Sequence, residues 1–197
     1  MQIGVYGGSF DPPHNGHLAL CLIARELLQL DRILISVSNN PFKPQSSSPD
    51  SHRMRMAELL SDEINLTGFS SEVCSWELEK HQPSYTVDLL LYLHTLYPGE
   101  RITLLLGEDS YRGLPLWKDP QVLMNLCDIA VFGRASEDER EKARIFPLSE
   151  GNVRFIHFNF PVSSSEIREL AASGEPIDGL VPAPIREYVE KHRLYRR

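Results

Sequence analysis

The stretch Gly7-Gly8-Ser9-Phe10-Asp11-Pro12-Pro13-His14-Asn15-Gly16-His17, called the signature turn below, decides the fold of this chain. It follows a short apolar run, Gln2-Ile3-Gly4-Val5-Tyr6, which has the composition of a buried parallel strand. After it, apolar residues recur every three or four positions, which indicates an amphipathic helix that begins near Asn15 or Gly16. This order predicts an anion site, because the first N–H groups of a helix have no partners within it.

Two histidines, His14 and His17, are three residues apart in this turn. Both imidazoles can therefore point toward one bound group and donate N–H to the negative charge that develops in phosphoryl-type transfer. The chain lacks the G-x-x-x-x-G-K-[ST] motif, and Gly7-Gly8 does not belong to a G-x-G-x-x-G fingerprint. Zinc is the other functional interpretation, but no nearby cysteine or acidic pair completes a tetrahedral set, so we expect no metal held by protein ligands.

The string GGSFDPPHNGH resembles the (H/T)-x-G-H signature of the nucleotidyltransferases. Its longer form, G-G-[ST]-F-D-P-x-H-x-G-H, is similar to that of the nicotinate/nicotinamide mononucleotide adenylyltransferases. Pantetheine-phosphate adenylyltransferases usually carry threonine at the position of His14, and related cytidylyltransferases typically read G-T-F-D-x-x-H-x-G-H. The resemblance implies that Gly7, Gly8, Ser9 and Phe10 bind ATP together with the two histidines. It also implies that both histidines are catalytic.

A second segment, Val162-Ser163-Ser164-Ser165-Glu166-Ile167-Arg168, resembles the I-S-S-T-x-I-R element of the same family. Taken alone, Ser163 and Glu166 have the spacing of a capping box at the start of a helix. The two interpretations agree, because a capped helix start with serine hydroxyls and an arginine can bind a polyphosphate. In the family this element holds the β- and γ-phosphates of ATP. Ser163, Ser164 and Arg168 are therefore expected to bind ATP, and Arg168 is expected to be catalytic as well.

Lys43 and Thr86 are expected to contact the second substrate, a mononucleotide. Lys43 follows the apolar run Ile33-Leu34-Ile35, at the sheet edge where ligands collect in open α/β folds. The family usually has a histidine where Phe42 stands, so only Lys43 carries over, as a phosphate contact. Thr86 belongs to a P-S-Y-T segment that in the family contacts the carboxylate or amide of the pyridine. Without the resemblance, these two residues also fit a solvated loop and an ordinary helix start.

The segment Gly107-Glu108-Asp109-Ser110 follows a second apolar run and resembles the family's G-x-D-S, with F-P-x-W downstream. Its glycine and Asp109 are assigned to ATP, and Asp109 also to the mononucleotide. Trp117 is assigned as a stacking surface for the pyridine ring, although a tryptophan in a loop more often fills a core. Lys118 replaces the usual aromatic residue, whose backbone N–H the family uses. Arg134 follows a third apolar run and is expected to bind the mononucleotide phosphate.

Length and composition are compatible with these assignments. A chain of 197 residues that is 42% hydrophobic suits one compact α/β domain over residues 1–197. No run of about 18 apolar residues predicts a membrane helix, and no signal peptide is expected, so we expect a cytoplasmic protein. Three scattered cysteines suit reduced thiols. A net charge of −7 argues against nucleic acid as a partner, because such proteins need a basic face.

Strand candidates that alternate with helices predict a parallel sheet with helices on both faces, and the resemblance makes it a Rossmann-like nucleotidyltransferase fold. The resemblance covers essentially the whole chain, and its last helix is interpreted as packing. It implies transfer of the adenylyl group of ATP to nicotinate mononucleotide, with Mg²⁺ bound mainly through the ATP phosphates. Three alternatives stay open: a preference for nicotinamide mononucleotide, another activity such as pantetheine-phosphate adenylyl transfer, and a catalytically silent nucleotide-binding regulator. A homo-oligomer is compatible with the sequence.

Overall fold

The computed structural model describes residues 1–39, 46–68, 70–80, 82–134 and 153–196. The strands in these ranges are β1 (Gln2–Gly8), β2 (Arg32–Val37), β3 (Ser71–Cys74), β4 (Arg101–Gly107), β5 (Asp128–Gly133) and β6 (Val153–His157). The helices are α1 (Asn15–Leu28), α2 (Asp50–Asn65), α3 (Trp76–Glu79), α4 (Thr86–Leu96), α5 (Glu108–Gly113), α6 (Pro120–Leu126), α7 (Ser164–Ser173) and α8 (Ala183–Lys191). None of the helices in these ranges is long and apolar enough to cross a bilayer.

The strands form one parallel sheet in the order β3-β2-β1-β4-β5-β6. The strand order reverses between β1 and β4, and a crevice opens at the carboxyl ends of strands at such a point. Gly8 of β1 pairs with Val37 of β2, while Tyr6 pairs with Leu105 of β4. The two glycines that end β1 therefore border the crevice, together with Gly107 at the end of β4. This sheet confirms the predicted fold class.

The sheet is buried on both faces, as a parallel sheet flanked by helices requires. Successive residues of β2 show this, because Ile33 and Ile35 pack into one apolar cluster and Leu34 packs into the other. The first cluster contains the buried faces of α1, α2, α7 and α8, and the second contains those of α4 and α6. Each large aliphatic side chain buried in this way contributes roughly 1.5–3 kcal/mol to the hydrophobic driving force.

The end of β1 is shaped by Phe10, which folds back onto the strand. Its side chain is 1% exposed, and its φ of +50° lies in the left-handed region that bulky residues rarely adopt. A Cβ added at Gly8 would lie 2.8 Å from the Phe10 ring, whereas a Cβ added at Gly7 would meet nothing within 4 Å. The two adjacent glycines therefore have different physical roles, and only Gly8 makes room for a core side chain.

We expect Gly8→Ala to lower the free energy of unfolding by about 1–3 kcal/mol, because the methyl group overlaps the Phe10 ring. The matched variant Gly7→Ala should change it by less than about 0.5 kcal/mol. Urea denaturation of both variants and the wild type measures the difference. Equal effects of the two substitutions would contradict the role given to Gly8.

Candidate active site

The start of α7 packs directly against the signature turn. The Oγ of Ser164 donates a hydrogen bond of 2.8 Å to the carbonyl of Pro12, although the residues are 152 positions apart. Nη1 of Arg168 donates to the carbonyl of Asp11 at 2.9 Å, and Nη2 donates to Ser165 Oγ at 3.1 Å. The two segments that the sequence singles out separately therefore lie side by side at one edge of the sheet.

Ser163 is the N-cap of α7, and its Oγ accepts a hydrogen bond of 3.2 Å from the backbone N–H of Glu166. This confirms the predicted cap. The positive end of the α7 dipole consequently lies beside the carbonyls of the signature turn. A helix start in this place offers oriented N–H donors to an anion.

The two imidazoles of the signature turn are in contact. His14 is the N-cap of α1, and its backbone N–H donates to Nδ1 of His17 at 3.1 Å. Because Nδ1 accepts this bond, neutral His17 carries its proton on Nε2. The ring centroids of the two histidines are 3.7 Å apart, and the Phe10 ring supports His17 from a centroid distance of 5.3 Å. The orientation of His17 is thus fixed by the backbone at one nitrogen and by packing at its side.

His14 is half-buried, and burial lowers the pKa of its imidazole to about 4. The ring lies over Gly16, where an added Cβ would be 3.0 Å from its Cε1 and Nδ1 and 3.3 Å from Cδ1 of Phe160. Gly16 is therefore required for this placement of the ring. His14 is a neutral N–H donor at neutral pH, and the site carries no imidazolium charge from it.

The depressed pKa of His14 predicts acid-sensitive stability. Its usual value is 6.5, so the unfolded chain binds more protons than the native state below about pH 6.5. Stability is therefore lost as the pH falls from about 6.5 toward about 4. We expect the free energy of unfolding, measured in urea, to fall more in the wild type than in His14→Gln between about pH 7 and pH 4.5, by about 2–3 kcal/mol. The same acid loss in both proteins would show that His14 does not titrate in this way.

A small cavity of about 30 Å³ lies between the ends of β1 and β4 and the start of α4. A cavity of this volume has room for one or two water molecules. Three residues that the sequence predicts separately line it, Gly7, Thr86 and Trp117, together with Ser110 of the G-x-D-S segment. Apolar side chains of α4 and β4 form most of the remaining wall: Leu89, Leu104 and Leu106.

Glu77 of α3 also lines this cavity, and sequence reasoning missed it. Its side chain is 4% exposed. Oε1 accepts a hydrogen bond of 2.7 Å from Ser36 Oγ, while Oε2 accepts from Ser84 Oγ at 2.7 Å and from the backbone N–H of Asn39 at 3.3 Å. The carboxylate thus ties the end of β2 to the P-S-Y-T segment before α4. Its three donors come from positions 36–84, so no local pattern could have revealed it.

Lys118 lies next to the start of α4. Its Nζ is 3.1 and 3.2 Å from the two carboxylate oxygens of Asp88 and 4.9 Å from the ring centroid of Tyr85. The hydrogen bond with Asp88 raises the pKa of the ammonium group. The Lys118 side chain is therefore engaged on the protein surface, which suits the family's use of the backbone N–H at this position.

Glu108 connects the ends of β4 and β5. Its Oε2 accepts a hydrogen bond of 3.2 Å from the backbone N–H of Arg134, and its other oxygen binds Arg112. A Cβ added at Gly133 would lie 2.7 Å from the Cβ of Glu108, so a glycine is needed there. Arg134 and Asp109 are exposed at this edge of the sheet. Lys43 lies outside the described residues.

Arg53 of α2 is a second residue that sequence reasoning missed. It is 2% exposed, and its Nη1 donates to the carbonyls of Ser9 and Ser38, both at 3.0 Å. Its Nη2 binds Asp50 at 2.6 Å. This guanidinium holds the signature turn to the loop after β2. An arginine in an amphipathic helix is typical of a solvated face, so only the folded structure reveals it.

The fold and the site together define the nucleotidyltransferase class. A Rossmann-like sheet carries an H-x-G-H turn at the point where its strand order reverses, and a helix start with serines and an arginine lies beside that turn. A protein-family model described as cytidylyltransferase-like matches residues 5–170. The protein called "Probable nicotinate-nucleotide adenylyltransferase" of Chlorobium limicola is 53% identical over 197 residues, with 100% of both chains covered. Its namesake from Pelodictyon phaeoclathratiforme is also 53% identical, over 99% of this chain and 92% of that protein.

A solved structure gives the same result for the fold. The nicotinic acid mononucleotide adenylyltransferase of Plasmodium falciparum, complexed with NaAD, superposes with a TM-score of 0.78 at 20% identity. The match covers 98% of this chain and 97% of that one. The chain belongs to the cytidylyltransferase-like family, among the nicotinate-nucleotide adenylyltransferases.

Proposed function

We propose that this protein transfers the adenylyl group of ATP to nicotinate mononucleotide, forming nicotinate adenine dinucleotide and pyrophosphate in NAD biosynthesis. One observation carries the proposal: Arg168 and Ser164 bind the carbonyls of Asp11 and Pro12, beside the paired histidines. Gly7, which borders the same crevice, also lines the cavity of Thr86 and Trp117. The names of the relatives support nicotinate mononucleotide as the acceptor.

The reaction is a direct in-line displacement without a covalent enzyme intermediate. A 5′-phosphate oxygen of the mononucleotide forms a bond to the α-phosphorus of ATP, while the bond from this phosphorus to the bridging oxygen of pyrophosphate breaks. Such a transfer needs alignment and charge stabilisation more than a protein nucleophile. The Nε2–H of His17 and the neutral His14 stabilise charge on the α-phosphate. Arg168, Ser163, Ser164 and the first N–H groups of α7 hold the leaving pyrophosphate.

The remaining assignments divide the crevice between the two substrates. Beside the residues already named, the backbone of the signature turn (Gly7, Gly8, Ser9, Phe10) and the segment of Gly107 and Asp109 bind ATP. Because the Phe10 side chain lies in the core, its contribution comes from the backbone. The assigned contacts of the mononucleotide are Lys43, Thr86, Asp109, Trp117, Lys118 and Arg134.

Magnesium suits the site as a partner of the substrate phosphates. Within the described ranges, no three side chains of His, Cys, Asp and Glu converge to hold a metal ion. Mg²⁺ prefers oxygen ligands and is commonly held through substrate phosphates. When bound to ATP, it neutralises charge that builds up on the leaving pyrophosphate.

The proposal is tested by incubating the protein with ATP, Mg²⁺ and one acceptor at a time, and by quantifying pyrophosphate and dinucleotide. We expect both products in equal amounts with nicotinate mononucleotide. Parallel reactions with nicotinamide mononucleotide and with phosphopantetheine test the rival acceptors. Faster transfer to either rival, or ATP binding without any product, would overturn the proposal.

His17 offers a sharp test of the transition-state role. We expect His17→Ala to lower kcat about a hundredfold or more, with a small change in KM, because one donor to the transition state is lost. His17→Asn places an amide oxygen where Nδ1 accepts from His14 but presents no donor at the position of Nε2. It should lose as much activity as His17→Ala, whereas His17→Gln should retain more. Near-normal kcat in His17→Asn would show that His17 acts only as the acceptor for the backbone N–H of His14.

Trp117 should report binding of the mononucleotide. Trp117 and Thr86 line the same cavity, so a pyridine ring stacked on the indole changes its surroundings. We expect the intrinsic fluorescence of the variant Trp76→Phe, in which Trp117 is the single tryptophan, to change when the mononucleotide is added. Trp76 itself is stacked on Tyr92 at a centroid distance of 4.9 Å. The control variant Trp117→Phe should therefore give no signal, and the opposite pattern would contradict the stacking role.

A further inference from the structure

Asp11 of the signature turn is a buried carboxylate that connects separate parts of the chain. Its side chain is 3% exposed. Oδ2 accepts a hydrogen bond of 2.6 Å from the backbone N–H of Ser47, and Oδ1 accepts from Ser48 Oγ and, at 2.8 Å, from the hydroxyl of Tyr195. The backbone carbonyl of the same residue accepts from Arg168. Asp11 therefore links three distant segments to the turn that carries the histidines.

Tyr195 reaches Asp11 from the turn that follows α8. Its φ of +66° lies in the left-handed region, which is unfavourable for a bulky residue. The neighbouring Leu194 is buried, and its N–H donates to the carbonyl of Val189 at 3.0 Å. A backbone conformation of this kind persists only where surrounding contacts hold it, and such residues cluster at functional sites.

The hydroxyl of Tyr195 is a permanent donor. Burial, followed by the negative charge of Asp11, raises the pKa of the phenol well above its ordinary value of 10. The phenol therefore stays protonated wherever the protein is folded and active. Its bond to Asp11 is a charge-assisted hydrogen bond, which is about twice as strong as a bond between neutral groups.

Tyr195 also lies beside Arg168, the side chain that holds the leaving pyrophosphate in the proposed reaction. It lines a groove of about 630 Å³ together with Ser47, Ser165 and Arg168. The bonds from Arg168 to Asp11 and Ser165 use two of the five N–H donors of its guanidinium. The position of the Asp11 carbonyl consequently decides where the other donors point.

We propose that Tyr195 and the carboxylate of Asp11 are positioning residues for adenylyl transfer, which together hold Arg168 and the 47–48 loop against the pyrophosphate end of ATP. This inference rests on the proposed function. The inference gives a role in the reaction to Tyr195, which follows α8. The helix α8 itself packs in the core through Ile185 and Val189. Tyr195 touches no reacting atom and acts through Asp11.

The variant Tyr195→Phe keeps the ring and removes only the hydroxyl. Oδ1 of Asp11 then loses its donor from the far end of the chain, and the constraint on Arg168 is relaxed. We expect kcat to fall about tenfold, a size set by the loss of one hydrogen bond to a charged group. The KM for the mononucleotide should change less than about twofold, because the cavity of Thr86 and Trp117 shares no lining residue with the groove of Arg168.

Tyr188→Phe is the matched control. Tyr188 is a tyrosine of α8 whose hydroxyl lies 2.9 Å from Nδ1 of His52, and neither residue lines the groove of Arg168. We expect its kcat to match that of the wild type. Equal losses of kcat in the two variants, or no loss in Tyr195→Phe, would overturn the inference. If the wild type itself forms no dinucleotide, the proposed function fails instead, so the two failures are distinguishable.

A double-mutant cycle tests whether Tyr195 acts through Asp11. In the background Asp11→Asn, the further change Tyr195→Phe should lower kcat less than about twofold, since the charged acceptor is already gone. Effects that multiply would contradict the inference. If Asp11→Asn does not fold, calorimetric binding of inorganic pyrophosphate decides. Tyr195→Phe should bind it several-fold more weakly than Tyr188→Phe, and equal affinities would overturn the inference.

Discussion

The backbone carbonyls of Asp11 and Pro12 hold the two halves of the site together. They accept hydrogen bonds from Arg168 and Ser164, which fix the start of α7 beside the histidines in addition to the burial of Ile167. Their direction depends in turn on Phe10, whose left-handed backbone turns the chain away from β1. Gly8 permits that turn because it leaves space for the ring. The geometry of the proposed phosphate site thus begins with a packing requirement inside the core.

A net charge of −7 is compatible with the two phosphate-bearing substrates of the proposed reaction, because helix starts border the crevice. In a parallel sheet the helices that follow the strands begin at the carboxyl edge, and here α1, α5 and α7 begin beside the crevice. Three acidic residues of that edge accept hydrogen bonds from donors of the protein. Glu77 accepts from serines, Glu108 from Arg134, and Asp11 from Ser48 and Tyr195. The edge therefore offers N–H groups to anions.

Local patterns predicted the alternation of strands and helices and the starts of two helices at the candidate site. The glycine turn, the apolar periodicity and the cap placed the starts of α1 and α7 correctly, since these features depend on neighbouring residues. The sequence did not reveal the roles of Glu77, Arg53 and Tyr195, because their partners lie far away in the sequence. A polar residue without a local motif is typical of a solvated surface. The parallel sheet creates those partnerships by bringing the ends of distant strands to one edge.

The contact between the two imidazoles explains why the signature turn offers neutral donors while Arg168 provides the positive charge. Two rings with centroids 3.7 Å apart are unfavourable as a pair of cations, and burial holds His14 neutral. The backbone bond to Nδ1 of His17 leaves a neutral ring with its proton on Nε2. In the proposed reaction, the turn supplies uncharged N–H donors to the α-phosphate, where charge shifts during transfer. The fixed positive charge of that proposal comes from Arg168, which is assigned to the pyrophosphate end. This separation follows from the burial of His14, the backbone bond to His17 and the bond from Arg168 to the carbonyl of Asp11.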